Sequence, residues 1–176
     1  MKLLTFKFIL IFIYLISSSS SYAIQQLNLD NLVIHKNPKK LEKINFKNIN
    51  NETINLSKFK NSLVIINFWA TWCAPCIEEM PSLNELQINP TFNNLQILPI
   101  NVGRDSIKKS ENFYKKLKLK NLKIYFDKDI QLANKFFLRG LPTTVFVNKK
   151  GEEFARIIGF VNFNDEKIIK WLKQYD

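Results

Sequence analysis

Two cysteines, one histidine and three arginines are all that this chain of 176 residues contains of those types. A structural zinc site takes about four nitrogen or sulfur ligands. Cys73, Cys76 and the distant His35 fall short of that, so no metal site is expected. A c-type haem attachment needs histidine directly after the second cysteine of a C-x-x-C pair, and Ile77 stands there instead. Nucleic-acid binders concentrate arginine and lysine on one face, whereas here three arginines sit among scattered lysines. No apolar run reaches the ~20 residues that a membrane-spanning helix requires. No internal repeat and no second domain boundary is found.

The longest apolar run is "FILIFIYLI", residues 8–16. Lys2 and Lys7 precede it and "SSSSSYA" follows, ending in Ser21-x-Ala23, the small-x-small pattern of signal cleavage. Residues 1–23 are therefore read as a signal peptide and the protein as exported and periplasmic, with an uncleaved membrane tether as the alternative. No cysteine follows the run closely, which excludes a lipid anchor on an N-terminal cysteine. Cleavage leaves 153 residues, enough for one domain whose core stands without covalent staples. A bridge closing only two intervening residues removes little entropy from the unfolded chain. The cysteine pair is thus not there for stability.

Beyond the signal, 24 basic side chains oppose 15 acidic ones, a net +9. The densest stretch, "KKSENFYKKLKLKNLK" (108–123), carries seven lysines against Glu111 and reads as a solvated helix face and loop.

Periodicity divides the rest. Residues 24–40, turn-prone around Pro38, read as a flexible lead-in to a domain spanning 41–176. "KINF" (43–46) and "ETINL" (52–56) suggest a hairpin. "SLVIINFW" (62–69) reads as a strand buried on both faces. Pro75 suits a first helical turn, Ile77, Met80, Leu83 and Leu86 mark one face, and Pro81 is expected to interrupt and kink the helix. "LQILPINV" (95–102) completes a parallel crossover, with Pro99 in conflict with a paired strand. A helix capped by Asp105 or Ser106 runs to about Leu117, and "LKIYF" (122–126) reads as a short strand. Asp129 opens a helix with Ile130, Ala133 and Phe137 on one side. "TTVFVN" (143–148) and "EEFARIIGF" (152–160) form a hairpin. Asn164 caps a last helix striped by Ile168, Trp171, Leu172 and Tyr175.

A strand thus delivers Cys73 to the start of a helix. The unpaired amides and partial positive charge of that terminus favour thiolate over thiol, so Cys73 is expected to ionise more readily than a free cysteine. Cys76 lies one turn deeper. In the resulting cycle Cys73 attacks a substrate disulfide, a mixed disulfide forms, and Cys76 resolves it, leaving Cys73 bridged to Cys76 and the substrate reduced.

"NFWATWCAPCIEEMP" followed by "RGLPTTVFVNKKGE" resembles the TlpA-like branch of the thioredoxin superfamily, which includes the exported thioredoxins of cytochrome c maturation. The resemblance runs from about residue 40 to the C-terminus. It implies an α/β thioredoxin fold: a central mixed β-sheet flanked by helices, with an N-terminal β-hairpin and a central insertion. It also implies that Pro142 is cis and faces the disulfide, with Leu141 placed to pair with substrate backbone. Without the resemblance that bond would be read as trans. Cytoplasmic thioredoxins have a buried aspartate where this chain has Asn67, so its proton-transfer role is absent. Many TlpA-like proteins have an acid three residues after the second cysteine, here Glu79, where a desolvated carboxyl exchanges protons with the resolving thiol. Trp69 is read as core. Trp72 and Pro75 are read as lining the surface beside Cys73, in contact with a partner chain.

The function so read is an exported thiol-disulfide oxidoreductase, a monomer that reduces disulfides of exported proteins, apocytochrome c first among them. A membrane electron donor re-reduces it, and no cofactor is involved. Ala74-Pro75 between the cysteines does not by itself set the direction of electron flow. The alternatives are a thiol peroxidase and a non-catalytic binding module. Peroxide-reducing relatives carry P-x-x-x-T-x-x-C, and Ile66 and Ala70 occupy those two marker positions here.

Overall fold

The computed structural model describes residues 29–176. The signal segment 1–23 and the first residues of the expected lead-in lie outside the described residues.

Strand β4 is the axis of the molecule. In chain order the strands are β1 (Leu32–Lys40), β2 (Asn45–Asn48), β3 (Thr53–Asn55), β4 (Leu63–Trp69), β5 (Leu95–Asn101), β6 (Tyr125–Phe126), β7 (Thr143–Val147) and β8 (Glu152–Ile158). They form one sheet of order β1-β8-β7-β4-β5-β6-β2-β3. Pairing is parallel between β4 and β5 and between β5 and β6, and antiparallel elsewhere. Helices α1 (Ala74–Leu86), α2 (Ile107–Leu117), α3 (Gln131–Lys135) and α4 (Glu166–Lys173) flank the sheet. This is the α/β thioredoxin fold that the resemblance implied, and the hairpin and insertion are both present: β2 and β3 pair, and β6 ties β2 to β5.

Every residue of β4 is buried, because helices or strands cover both faces. Alternate side chains leave a strand on opposite sides. Leu63, Ile65 and Trp69 join a core with Met80, Leu83 and Leu86 of α1 and Trp171 of α4. Val64, Ile66 and Phe68 join a second core with Ile44, Phe46, Leu132 and Phe136. Asn67 shares the parity of Ile65 and Trp69, which aims a buried amide at α1.

The structure corrects several readings. Residues 32–40 are not a flexible lead-in but strand β1, paired with β8 at the sheet edge. Its register shifts between Ile34 and Lys39, and Pro38 falls in that gap, where a missing donor breaks no ladder. Pro99 fits inside β5 by the same logic. Val102 donates its N–H to Trp69 on β4, whereas Ile97 donates to the Gln87 side chain on the other side. Pro99 shares the parity of Ile97, and β6 pairs only with Ile100 and Asn101, so no neighbouring strand needs that donor. Helix α1 continues through Pro81 to Leu86, and Ile77 is exposed rather than part of its buried face. Helix α3 packs Leu132 and Phe136 inward, while Ile130 and Phe137 have left-handed backbone and Phe137 is exposed. Asp165, not Asn164, caps α4, its side chain accepting from the Lys167 amide.

Candidate functional site

Strand β4 ends at Trp69, a turn follows, and Cys73 becomes the N-cap of α1. Its Sγ accepts a hydrogen bond from the Cys76 backbone N–H at 3.3 Å. Pro75 follows in the first turn, where its missing N–H costs nothing. Cys73 and Cys76 are joined as a disulfide with Cα atoms 5.3 Å apart. Cys76 is 1% exposed and Cys73 4%, so Cys73 is the less covered of two nearly buried residues. Trp72 is 64% exposed beside them, and Pro75 and Ile77 are exposed on the same end of the helix.

The turn that carries Trp72 and Cys73 is held from below by a residue the sequence offered only as a helix cap. Asp105 accepts the Thr71 backbone N–H at 2.9 Å and the Thr71 hydroxyl at 2.8 Å. The Asn101 amide and the Lys109 ammonium donate to the same carboxylate, at 2.9 and 2.6 Å. Burial opposes ionisation of Asp105, but these donors outweigh it and hold its pKa down at about 2. Gly103 completes the support. A Cβ there would lie 2.5 Å from the Ala70 Cβ and 3.0 Å from the Trp72 indole nitrogen, so only glycine lets the loop after β5 approach the turn this closely. No sequence signal near the cysteines points to Asp105, because the contact spans 34 positions.

The bond between Leu141 and Pro142 is cis, as the resemblance implied. The antiparallel register pairs Phe68 with Thr143, so residues 141–142 extend alongside the end of β4 from which the cysteine turn departs. Pro142 is buried and Leu141 half-buried. Among the described residues Leu141 makes no backbone hydrogen bond.

Glu79 is fully buried, 0% exposed, one turn after Cys76 on α1. Its Oε1 accepts from the Asn67 amide at 2.7 Å and its Oε2 from the Val161 backbone N–H at 2.9 Å. Burial raises its pKa from 4.5 to about 8, against the opposing pull of those two donors, and no cation contributes. Glu79 therefore sits one turn after Cys76 as a carboxyl much less acidic than a free one. Trp69 is fully buried against Phe113 and Tyr114, as read. Among the described residues no cluster of three or more His, Cys, Asp or Glu side chains forms a metal site. No described helix is long and apolar enough to cross a membrane.

Comparison with known proteins places this geometry. The chain is 36% identical over 110 residues to the thiol-disulfide oxidoreductase ResA of Geobacillus kaustophilus, the match covering 62% of each chain. It thus spans less than two thirds of the length of that relative. Among solved structures, a secreted thiol-disulfide isomerase from Corynebacterium glutamicum superposes with a TM-score of 0.66 at 26% identity, covering 85% of this chain and 97% of its own. The exposed lipoprotein thioredoxin of Streptococcus pneumoniae gives 0.63 at 27% identity, covering 74% and 98%. The AhpC/TSA family matches over residues 38–152, which include the cysteine turn, Glu79 and the cis proline. The ResA relatives support the TlpA-like branch of the thioredoxin superfamily that the motifs resemble, and the chain belongs to the AhpC/TSA family.

Proposed function

We propose that the protein is an exported thiol-disulfide oxidoreductase that reduces disulfides in other exported proteins through Cys73 and Cys76. The observation that carries this reading is the disulfide at the N-terminus of α1, with Cys73 as the cap and a protonatable carboxyl buried one turn behind Cys76. In the reduced protein the thiolate of Cys73 attacks one sulfur of a substrate disulfide and expels the other as thiolate. Cys76 then loses its proton and attacks Cys73, releasing the second substrate sulfur and closing the internal bridge. Glu79 is the acceptor of the Cys76 proton on closure and its donor when the pair is re-reduced. Trp72 and Pro75 supply apolar contact for the substrate chain, and the unpaired backbone of Leu141 beside Pro142 supplies a strand-like edge for it.

An apocytochrome c awaiting haem attachment fits as client, because its paired cysteines must be reduced first. A membrane electron donor restores the dithiol, and the protein acts as a periplasmic monomer, freed by cleavage after residue 23 or tethered by the uncleaved segment. Peroxide reduction is disfavoured by the residues before Cys73. Ile66 and Ala70 are fully buried apolar side chains at the positions peroxide-reducing relatives fill with proline and threonine.

A Cys76→Ser variant tests the proposal. It is expected to accumulate mixed disulfides between Cys73 and exported proteins, which thiol reductants release. Partner capture that persists in the Cys73→Ser, Cys76→Ser double variant would instead mark a binding module, and rapid peroxide consumption by the wild type a peroxidase.

A further inference from the structure

We infer that Asn67 is a positioning residue whose carboxamide turns over as Glu79 gains or loses its proton, so that either form of the acid meets a matching partner. The Asn67 Nδ2 donates both of its hydrogens, one to Glu79 Oε1 at 2.7 Å and one to the Thr144 hydroxyl oxygen at 3.0 Å. Its Oδ1 is buried and has no partner among the described residues. This arrangement serves the ionised carboxylate, which accepts at both oxygens, from Asn67 and from Val161.

Protonated Glu79 fits it less well, because its new O–H finds no acceptor at Asn67. The Val161 N–H holds Oε2 as an acceptor, so the proton belongs on Oε1, where it meets another donor head-on. A half-turn of the amide removes the conflict. Oδ1 then accepts from the Glu79 O–H and also from the Thr144 hydroxyl, which can donate as readily as accept. Two hydrogen bonds are made in each orientation, and one end of the amide is left unpaired in each. Neither orientation is locked by a full set of partners, and an amide is the side chain that presents a donor or an acceptor in one shape. An aspartate at this position lacks the donor end when ionised.

The groups facing Glu79 leave the amide as its main adjustable partner. Cys76 precedes it on α1, β4 offers Asn67, β7 offers Thr144, and the segment after β8 offers the Val161 N–H. No lysine, arginine or second carboxylate acts on it. The rotation does not depend on what the protein does. Only its use, in moving the proton of Cys76, rests on the exchange reading.

The test is an NMR pH titration of the oxidised wild-type protein that follows the Glu79 carboxyl carbon and the Asn67 side-chain amide together. Contacts between the Asn67 amide protons and the Thr144 side chain are expected above the midpoint of Glu79 and are expected to vanish below it, with one shared midpoint. In Glu79→Gln, the Val161 N–H keeps the new oxygen on its side and turns the new NH2 toward Asn67, which is expected to hold the low-pH orientation at every pH. Asn67→Leu removes a partner from both forms of the acid and is expected to change its proton affinity by less than about tenfold, whereas loss of a fixed donor would change it by more. Contacts that persist unchanged through the titration of Glu79, a Glu79→Gln protein with the high-pH pattern, or a larger shift in Asn67→Leu would overturn the inference. Failure of disulfide trapping with the titration intact would leave the rotation standing and remove its use.

Discussion

Glu79 and Glu153 are both buried, at 0% and 2% exposure, yet their acidities move in opposite directions. Burial raises Glu79 to about 8, where only neutral donors oppose it. Burial pushes Glu153 upward too, but Arg156 and His35 overcome it and hold the group below its ordinary value. The Arg156 guanidinium grips both carboxylate oxygens, at 2.6 and 2.9 Å, and donates a third bond to the Phe136 carbonyl. His35 on β1 completes the set at 2.8 Å. One carboxylate is thus fastened as a charge that ties the edge strand to the sheet. The other is kept free to change its charge beside a disulfide. Whether a cation accompanies a buried acid, rather than burial itself, separates a structural carboxylate from one suited to proton transfer.

Breaking the fastened pair has the largest expected effect. Arg156→Ala leaves Glu153 buried without its main counter-charge and is expected to cost about 3–5 kcal/mol in denaturant unfolding at neutral pH. A loss below about 1 kcal/mol would mean the two glutamates differ less than their surroundings suggest.

The free acid is sharpened by its pH dependence. The folded state keeps the Glu79 proton up to about 8, whereas the unfolded chain releases it near 4.5. Folded protein therefore binds more protons within that window, and stability falls as pH rises through it, levelling off above about 8. Glu79→Gln abolishes this slope and is expected to be roughly 2–4 kcal/mol more stable than the wild type at high pH. The same variant is expected to resolve mixed disulfides more slowly, which quenched-flow thiol trapping would reveal. A wild type whose midpoint of unfolding is flat across the window would contradict the raised acidity.

Asp105 stands between these extremes, a carboxylate with one cation and three neutral donors, held at about 2. Asp105→Asn weakens its grip on Thr71 and is expected to cost about 1–2 kcal/mol, with faster hydrogen exchange at the Thr71 amide as the local readout. Exchange at that amide equal to wild type would show that the turn holds itself. Trp72→Ala touches no buried acid. Its expected cost in stability is under about 0.5 kcal/mol, while its capture of disulfide substrates falls, so affinity rather than unfolding is the quantity to measure.

Strand β4, helix α1 and the β7–β8 hairpin were legible in the sequence because their signals are local: a continuous apolar run, a proline in a first turn, and two apolar segments around Lys149 and Gly151. The edge strand β1 was not. Its pairing partner lies more than 110 residues away, its side chains are mostly exposed, and Pro38 argues for a turn until the register gap that accommodates it is visible. Ile77 was placed on the wrong face because an interval of three does not tell a buried stripe from its margin. Phe137 failed as a core residue for a similar reason, since the end of α3 reverses the chain there and leaves Phe136 to fill the core.

By itself the sequence determined the cysteine pair at a strand-to-helix junction, on which the proposed thiol-disulfide exchange rests, since spacing and helix polarity are properties of consecutive residues. It also placed an acid three positions after the second cysteine. Only the tertiary structure decided that this acid is sealed from water without a cation, that Asp105 holds the turn from below, and that Asn67 faces Glu79 with one end of its amide unpaired. These depend on partners 12 to 82 positions apart. Their effect on proton affinity comes from what surrounds each group in space, which no local pattern encodes.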